Sequence, residues 1–314
     1  MKTKKHVLAN TLLVIVPSFT FLLIAEVMFR GMMSSELSIK NDERSLMYSH
    51  HDTLGWFPTK NTKGSFKGLK EVSVRHNSRG FRDEEHEPGE KSRMMVLGDS
   101  FVWGYDVEEE NRFTEVLDNK LDDLDVFNLG VSGYGTDQEW ILLQKNFDFY
   151  SPEAVLLIYC ADNDRLDNRM NKRYSYFYKP YFEELDDSLI MKGVPVPEGY
   201  RQFYKEREIA SKSYLGRLVV NSYYKLAYPK VFLETDPTFA LISKMKKYSE
   251  ERGSTFLVGL QKEDKALMYH LNREGIDFVN VENSYLRGWH WNEQGHEFVA
   301  EKIEHFLNEN DLSW

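Results

Sequence analysis

The sequence has little cysteine and no excess of positive charge. Cys160 is the single cysteine among 314 residues, so it has no partner for an internal disulfide bond, and its apolar surroundings favour a buried thiol. Forty basic residues against 50 acidic residues leave a net charge of −10, which argues against a nucleic-acid-binding protein. Internal repeats and low-complexity tracts are also missing, which excludes collagens and coiled coils.

A metal site is not indicated either. The triplet His50-His51-Asp52 comes nearest to a metal-binding cluster, but a polar connecting segment explains it better than ligand spacing does. We therefore expect no metal ion and no cofactor.

Only one apolar run is long enough to cross a bilayer. From Val7 to Ala25 a helix would measure about 28 Å, close to the thickness of the hydrocarbon core. The sequence after Ala25 offers no good signal-peptidase site, which favours a retained anchor over residues 1–33, in contact with the membrane through residues 7–29. A cleaved signal peptide and a buried helix of a soluble domain remain the alternatives.

The charges that flank this run predict its orientation. Lys2, Lys4 and Lys5 precede it and Arg30 follows it, which places the N-terminus in the cytoplasm. We expect a single-pass inner-membrane protein with an extracytoplasmic, periplasmic domain.

The pattern of apolar and polar residues changes at about residue 93. Residues 34–92 are polar and read as a linker with accessory strands such as Glu71–Arg75. Residues 93–310 alternate short apolar runs with segments of helical period. The expected strands are 94–98, 125–130, 154–160, 255–260 and 276–281, and the expected helices are 111–124, 137–147, 237–252, 264–272 and 292–307.

This alternation predicts an α/β fold. Near-continuous apolar strands separated by helices indicate a doubly wound, flavodoxin-like, five-stranded parallel sheet flanked by helices, preceded by one N-terminal transmembrane helix. Residues 165–234 break the alternation and are rich in tyrosine and charge. They read as an insertion, whose aromatic side chains either stack on carbohydrate or pack against one another.

Polar turns follow the first three expected strands, and a polar segment lies near the C-terminus. These read GDSFVWG (98–104), NLGVSGYG (128–135), ADND (161–164) and HWNEQGH (290–296). A serine at a strand-to-helix turn, with glycine and asparagine donors for an oxyanion and a histidine base, is a set capable of acyl transfer. Asp99 and Asp164 are expected to fasten their turns, and His296 to pack or cap a helix.

The four segments resemble the blocks of the SGNH/GDSL hydrolase superfamily in their order. The resemblance covers about residues 92–308 and implies Ser100 as the nucleophile and His290 as the base. It also implies an oxyanion hole formed by Ser100, Gly133 and Asn163. With the apolar N-terminal helix and the sequence NSRGFRD (77–83), it extends to a bacterial membrane-anchored subgroup associated with surface polysaccharides.

One feature of the family is missing. The aspartate that usually precedes the catalytic histidine by two or three residues is replaced by Gly288 and Arg287, and arginine has no acceptor for the Nδ1–H of the imidazole. A main-chain carbonyl could orient His290 in a Ser100–His290 dyad, Glu282 could reach it, or catalysis has been largely lost.

The resemblance implies a serine esterase that removes acetyl or short acyl groups from an extracytoplasmic glycan. The expected partner is therefore an acylated carbohydrate or another ester, and protein partners are unknown. An O-acyltransferase would use the same groups with a sugar hydroxyl as acceptor. A glycan-binding or assembly protein that has lost the reaction is the rival hypothesis.

Overall fold

The computed structural model describes residues 2–34, 47–86, 89, 91–174, 177–186, 188–199, 202–204, 207 and 212–310. The chain divides into two compact units. One consists of residues 1–45 with 199–229, and the other consists of residues 46–198 with 230–314.

Helices and short strands alternate along most of the described chain. The helices are α1 Lys2–Met32, α2 Ser100–Trp103, α3 Phe113–Lys120, α4 Thr136–Tyr150, α5 Asp164–Asn168, α6 Tyr214–Ala227, α7 Thr238–Glu250, α8 Lys265–Glu274 and α9 Glu293–Glu309. The strands are β1 Tyr48–His51, β2 Gly55–Pro58, β3 Lys63–Lys67, β4 Glu71–Arg75, β5 Ser92–Gly98, β6 Leu124–Asn128, β7 Ala154–Tyr159, β8 Lys172–Arg173, β9 Phe177–Tyr178, β10 Tyr181–Leu185, β11 Ser188–Lys192, β12 Thr255–Leu260, β13 Asp277–Asn280, β14 Leu286–Arg287 and β15 His290–Trp291.

The smaller unit contains α1 and α6. Helix α1 includes an apolar stretch, Asn10–Met32, with a mean hydropathy of 2.3, and is long enough to cross a membrane. A membrane span and a signal sequence both have these properties. The apolar side chains of the stretch Asn10–Met32 are exposed, so α1 is not a core helix of this unit.

The larger unit is built on a five-stranded parallel sheet. The strand order is β13-β12-β7-β5-β6, and every neighbouring pair is parallel. β5 is the first strand of the sheet along the chain, and the next strand, β6, forms one edge. The chain then crosses to the other side of β5, where β7, β12 and β13 follow in order. This is the doubly wound, flavodoxin-like order expected from the sequence. The predicted strands and helices of this sheet are confirmed to within a few residues.

Both faces of the sheet are covered, which explains the near-continuous apolar strands. Met95 and Leu97 of β5 pack in a core with α4, α7 and α8. The alternate residues Met94 and Val96 pack in a second core with α3 and α9. Since successive side chains of a strand point to opposite faces, every position of a strand covered on both sides has to be apolar.

Residues 47–86 belong to the larger unit and are not a linker. They form two antiparallel hairpins, β1–β2 and β3–β4, and β4 has the bounds expected from the sequence. Trp56, Phe66 and Phe81 are buried in the same core as α4. The structure therefore has no domain boundary at residue 92. Because most of this segment is polar, the burial of its aromatic side chains could not be predicted from the sequence.

The expected insertion at 165–234 is divided between the two units. Strands β8 to β11 lie in the larger unit, and α6 lies in the smaller unit. Phe177, Tyr178 and Phe182 are buried, which favours the packing interpretation for these three aromatic side chains.

Arg82, in the sequence NSRGFRD, connects the hairpin region to the loop that follows α2. The side chain is fully buried, and its guanidinium donates to Trp103 O at 3.2 Å, Gly104 O at 2.6 Å and Val107 O at 2.8 Å. A fourth bond reaches Ser73 O of β4 at 2.9 Å. One cation thus satisfies four main-chain carbonyls that would otherwise be costly to bury.

We expect Arg82→Met to lower the free energy of unfolding by at least about 3 kcal/mol, because several buried carbonyls lose their donors at about 1–3 kcal/mol each. Chemical unfolding of the purified chain in detergent measures the change. Arg273→Met removes an exposed arginine and should change stability by no more than about 0.5 kcal/mol. Similar losses in both variants would contradict the role of Arg82.

Candidate active site

Ser100 begins helix α2, one residue after Asp99, which follows strand β5. The carboxylate of Asp99 accepts a hydrogen bond from Phe101 N at 3.0 Å and caps the helix. This confirms the expectation that Asp99 fastens the turn. The cap places Ser100 at the carboxyl end of the sheet, where its side chain is largely buried.

The turn after β6 is tied to the same helix. Asn128 donates through its side chain to Val102 O of α2 at 2.8 Å and accepts from Gly130 N at 3.0 Å. Its main-chain N–H donates to Asp83 of the sequence NSRGFRD at 3.0 Å. Gly133 lies further along this turn with φ = 86°, a left-handed conformation that suits glycine. Its place in the oxyanion hole stays a prediction.

His290 is held on the hairpin β14–β15, just before the last helix. Asn292 caps α9 by accepting from Gly295 N at 2.9 Å, and its own N–H donates to Tyr285 O at 2.9 Å. The imidazole Nε2 lies 2.8 Å from Ser100 Oγ. The fold therefore brings together two candidate catalytic residues that are 190 positions apart. With the proton on Nδ1, Nε2 accepts the serine O–H and is placed to act as a base.

Two aromatic rings of the α2 region contact His290. Tyr105 stacks on the imidazole, with ring centroids 4.2 Å apart and planes inclined by 21°. Phe101 lies at a tilt with its centroid 5.2 Å away. These contacts restrain the plane of the imidazole. Sequence reasoning missed Tyr105, although its position shortly after the GDS triplet was a usable signal.

The backbone at position 288 suits glycine. Gly288 has φ = 65°, and a Cβ built there would lie 2.6 Å from Leu69 Cδ1. Any side chain at this position would have to displace Leu69 and adopt a strained backbone conformation.

Arg287 is also committed to other partners. It donates to Asp106 O at 2.7 Å and to the carboxylate of Glu293 at 2.7 Å, and Lys70 lies 2.8 Å from the other oxygen of that carboxylate. Partial burial opposes the ionisation of Glu293, but the hydrogen bonds from Arg287 and Lys70 outweigh it and lower the pKa of Glu293 to about 2. Arg287 therefore anchors the hairpin that carries His290.

Glu282 follows β13 and accepts a hydrogen bond from Glu263 N at 2.9 Å. Its suggested role in orienting His290 stays a prediction.

Asn163 lies after β7, the strand next to β5, and its amide is engaged. Nδ2 donates to Asp164 at 3.1 Å and to Asp167 at 3.0 Å, while Oδ1 accepts from Cys160 Sγ at 2.8 Å. Both amide hydrogens are thus committed to carboxyl groups. To serve as an oxyanion donor, Asn163 has to exchange one of these hydrogen bonds for a hydrogen bond to the substrate oxygen.

A group of buried acidic side chains surrounds the turns after β5 and β7. Burial raises the pKa of Asp99 to about 6, and burial together with the Asp99 carboxylate raises the pKa of Asp164 well above its ordinary value. Asp164 also accepts from Cys160 N at 2.9 Å, which confirms that it fastens its turn. Burial raises the pKa of Glu139 as well, with the carboxylates of Asp164 and Asp99 adding to the effect.

Cys160, His296 and the triplet at positions 50–52 lie outside the candidate dyad. The Cys160 side chain is buried, as its apolar surroundings predict. His296 is buried too, and its Nδ1 accepts from Phe113 N at 3.2 Å, which confirms a packing role. His50 lies 3.2 Å from Asp52 in the β1–β2 region. Within the described ranges, no three His, Cys, Asp or Glu residues are arranged to hold a metal ion.

Comparison with known proteins gives similarity in structure only. No family model matches this sequence, and no curated protein matches it. A member of the lipolytic protein G-D-S-L family from Veillonella parvula is similar over 68% of this chain and 97% of its own, with 13% identity and a TM-score of 0.40.

Two further solved structures are similar at the same level. The psychrotrophic esterase EstA from a Pseudoalteromonas species matches 70% of this chain and 98% of its own, at 11% identity and a TM-score of 0.41. A two-domain esterase active on acetylated mannans matches 70% of this chain and 50% of its own, at 13% identity and a TM-score of 0.39. At these levels of identity the similarity is one of fold alone.

Glu139 offers a test of the buried acidic group. It is fully buried, and neither carboxyl oxygen has a hydrogen-bond partner in the part of the chain that the structure describes. With its pKa raised, the folded protein retains a proton that the unfolded chain releases above about pH 4.3. Stability therefore falls as pH rises, by about 1.4 kcal/mol per pH unit until the pKa of the folded state is reached.

We expect Glu139→Gln to remove this dependence, so that the variant gains stability relative to the wild type between about pH 5 and pH 7. Unfolding curves across that range measure the difference. Glu110→Gln, at an exposed position, controls for the loss of one negative charge. A stability difference for Glu139→Gln that stays constant with pH would contradict the prediction.

Proposed function

We propose that this protein is a serine esterase of the SGNH/GDSL type, which removes acetyl or other short acyl groups from an extracytoplasmic glycan. The observation that carries the proposal is the 2.8 Å contact between Ser100 Oγ and His290 Nε2 at the carboxyl end of the sheet. A serine hydroxyl is a weak nucleophile until a base takes its proton, and this geometry supplies the base.

In the acylation step, Ser100 Oγ attacks the carbonyl carbon of the ester while His290 Nε2 takes the hydroxyl proton. The N–H groups of Ser100 and Gly133, with the amide of Asn163, would stabilise the negative charge that develops on the carbonyl oxygen. Collapse of the tetrahedral intermediate breaks the ester bond. His290 returns the proton to the departing sugar oxygen and leaves an acyl group on Ser100.

In the second step, water attacks the acyl-serine and His290 takes a proton from it. Collapse of this intermediate releases the carboxylic acid, and the proton returns to Ser100. An O-acyltransferase would differ only in its acceptor, since a sugar hydroxyl would take the place of water.

We propose a Ser100–His290 dyad in place of a triad. The family positions for the aspartate are occupied by Arg287, which is paired with Glu293, and by Gly288, whose backbone conformation and contact with Leu69 disfavour a side chain. Stacking on Tyr105 restrains the imidazole and lowers the dependence on an orienting carboxylate. In the dyad a main-chain carbonyl would orient the imidazole, whereas Glu282, as the alternative, would make the arrangement a triad.

An exposed tryptophan beside the dyad supports a carbohydrate substrate. Trp289 precedes His290 on the hairpin and is 87% exposed, and Leu69, which approaches Gly288, is 72% exposed. Large apolar side chains exposed next to a reactive group commonly mark a binding surface. The flat indole can pack against the C–H face of a sugar ring, with the polar rim left to hydrogen-bond hydroxyl groups.

For location, we propose that α1 anchors the protein in the inner membrane with its N-terminus in the cytoplasm. The apolar stretch Asn10–Met32 supports a span, and the lysines that precede it support this orientation.

A fluorophosphonate probe tests the nucleophile directly. We expect the probe to label Ser100 in the folded protein, because the hydrogen bond to His290 activates the hydroxyl. Peptide mass spectrometry locates the label. Ser100→Ala should lose labelling and esterase turnover and keep its melting temperature within a few degrees.

His290→Ala should reduce turnover by about 10³-fold or more, since the base is removed. If folded protein resists the probe and hydrolyses no acetylated glycan, the missing aspartate and the engaged amide of Asn163 favour the alternative of a glycan-binding protein. An unchanged esterase rate in Ser100→Ala would overturn the nucleophile assignment.

Trp289 allows the glycan part of the proposal to be tested apart from the chemistry. We expect Trp289→Ala to raise KM for acetylated oligosaccharides by about tenfold, and to change kcat/KM for p-nitrophenyl acetate by less than about threefold. Steady-state kinetics on both substrates measure the split. Equal losses on the two substrates would assign Trp289 to the structure of the hairpin, and no loss on either would exclude it from glycan binding.

A further inference from the structure

Helix α6 is attached to α1 by a carboxylate. Glu26 of α1 accepts hydrogen bonds from Ser213 Oγ at 2.9 Å, Tyr214 N at 2.9 Å and Leu215 N at 3.0 Å. The side chain of one helix thus caps the N-terminus of the other, where free N–H groups and the helix dipole favour a negative charge.

Arg30 strengthens this connection. Its guanidinium donates to Glu26 at 3.1 Å and to Lys212 O at 3.1 Å, so it joins α1 to the residues just before α6. The carboxylate therefore has partners from both helices. A carboxylate at the edge of an apolar span would be costly without such partners.

The position of Glu26 along α1 sets the depth at which α6 begins. Glu26 lies six residues before the end of the apolar stretch Asn10–Met32, which is about 9 Å along the helix axis. Glu26 also directly follows the apolar run from Val7 to Ala25, which at about 28 Å matches the thickness of the hydrocarbon core, so in a helix that crosses the bilayer on this run Glu26 lies at the boundary between headgroups and acyl chains. Amphipathic helices that lie on membranes bury their apolar faces about 5–10 Å into the same region.

The exposed face of α6 has the side chains that such a position requires. Val219 is 64% exposed, Tyr223 is 58% exposed and Leu226 is 85% exposed. Their spacing of four and three residues places them on one side of the helix. Tyr224, on another side, is buried. Tyrosine is enriched at membrane–water interfaces, and the stem of a lysine such as Lys225 can extend along apolar surface with its charge in water.

We propose that α6 is an interfacial helix whose face formed by Val219, Tyr223 and Leu226 inserts into the bilayer that α1 spans. The inference depends on the membrane anchor of the proposed function and does not depend on the esterase reaction. Helix α6 then gives the chain a second contact with lipid, fixed to the first by Glu26.

Site-specific fluorescence in the full-length protein tests this. Cys160→Ala provides a background without cysteine, and Leu226→Cys or Lys225→Cys then carries an NBD label in vesicles of phosphatidylcholine and phosphatidylglycerol. We expect brominated lipids to quench the label at residue 226 at least threefold more than the label at residue 225. Iodide in the aqueous phase should show the opposite preference.

A third label separates the anchor from the interfacial helix. Val16→Cys lies in the apolar stretch of α1 and should be quenched by lipids brominated deep in the acyl chain. Quenching at residue 16 with equal, weak lipid quenching at residues 225 and 226 would overturn the proposal and leave the anchor standing. If residue 16 itself is not quenched, the anchor and the interfacial helix both fail.

A second copy of the chain is the other possible cover for this face. It would protect residue 226 from both iodide and brominated lipid, and the NBD labels would self-quench in proportion to protein density in the membrane. That outcome would also overturn lipid insertion.

Glu26→Ala tests the connection between the helices. Loss of the cap should reduce lipid quenching at residue 226 by at least half and leave quenching at residue 16 unchanged. Glu26→Gln keeps an acceptor oxygen and should fall between Glu26→Ala and the wild type. Full quenching at residue 226 in Glu26→Ala would show that α6 binds lipid without the cap.

Discussion

The hydrogen bond between Ser100 and His290 joins the turn after β5 to the hairpin β14–β15, and the contacts around it hold both segments in place. Asp99 caps α2 and fixes the serine, while Asn292 caps α9 and fixes the strand that carries the histidine. The imidazole is further held by stacking on Tyr105. Short-range capping thus positions the serine and the hairpin, and ring packing restrains the plane of the imidazole.

The sheet and its helices could be predicted from the sequence because strands covered on both faces leave an unmistakable apolar signal. Ser100 could be found for a related reason, since polar turns that follow neighbouring parallel strands collect at one edge. His290 lies on the antiparallel hairpin β14–β15 and was indicated by the resemblance of HWNEQGH to the last SGNH/GDSL block. The contribution of residues 47–86 to the core of the larger unit could not be predicted in this way. Their buried aromatic residues are scattered among polar ones, and the four carbonyl partners of Arg82 lie nine to 25 residues away in sequence.

Asn163 shows a different limit of sequence reasoning. A motif indicates which residue type stands at a turn, but it does not indicate which neighbours compete for that side chain. Here Asp164 and Asp167 hold both amide hydrogens, within a buried group of acids whose ionisation is opposed by burial. The electrostatics of the candidate oxyanion site are therefore set by carboxyl groups on α5 and α4 as much as by the asparagine itself.

The sequence NSRGFRD has a consequence for how this chain can change over evolution. Arg82 holds the loop that follows α2, and Asp83 holds the end of β6, so the region before the sheet supports two of the turns that form the site. A recombination or truncation at the start of β5 would separate the sheet that carries Ser100 from its own support. The hairpin region and the sheet must therefore be inherited as one module, while the surface of α6 is free to diverge with the surroundings it faces.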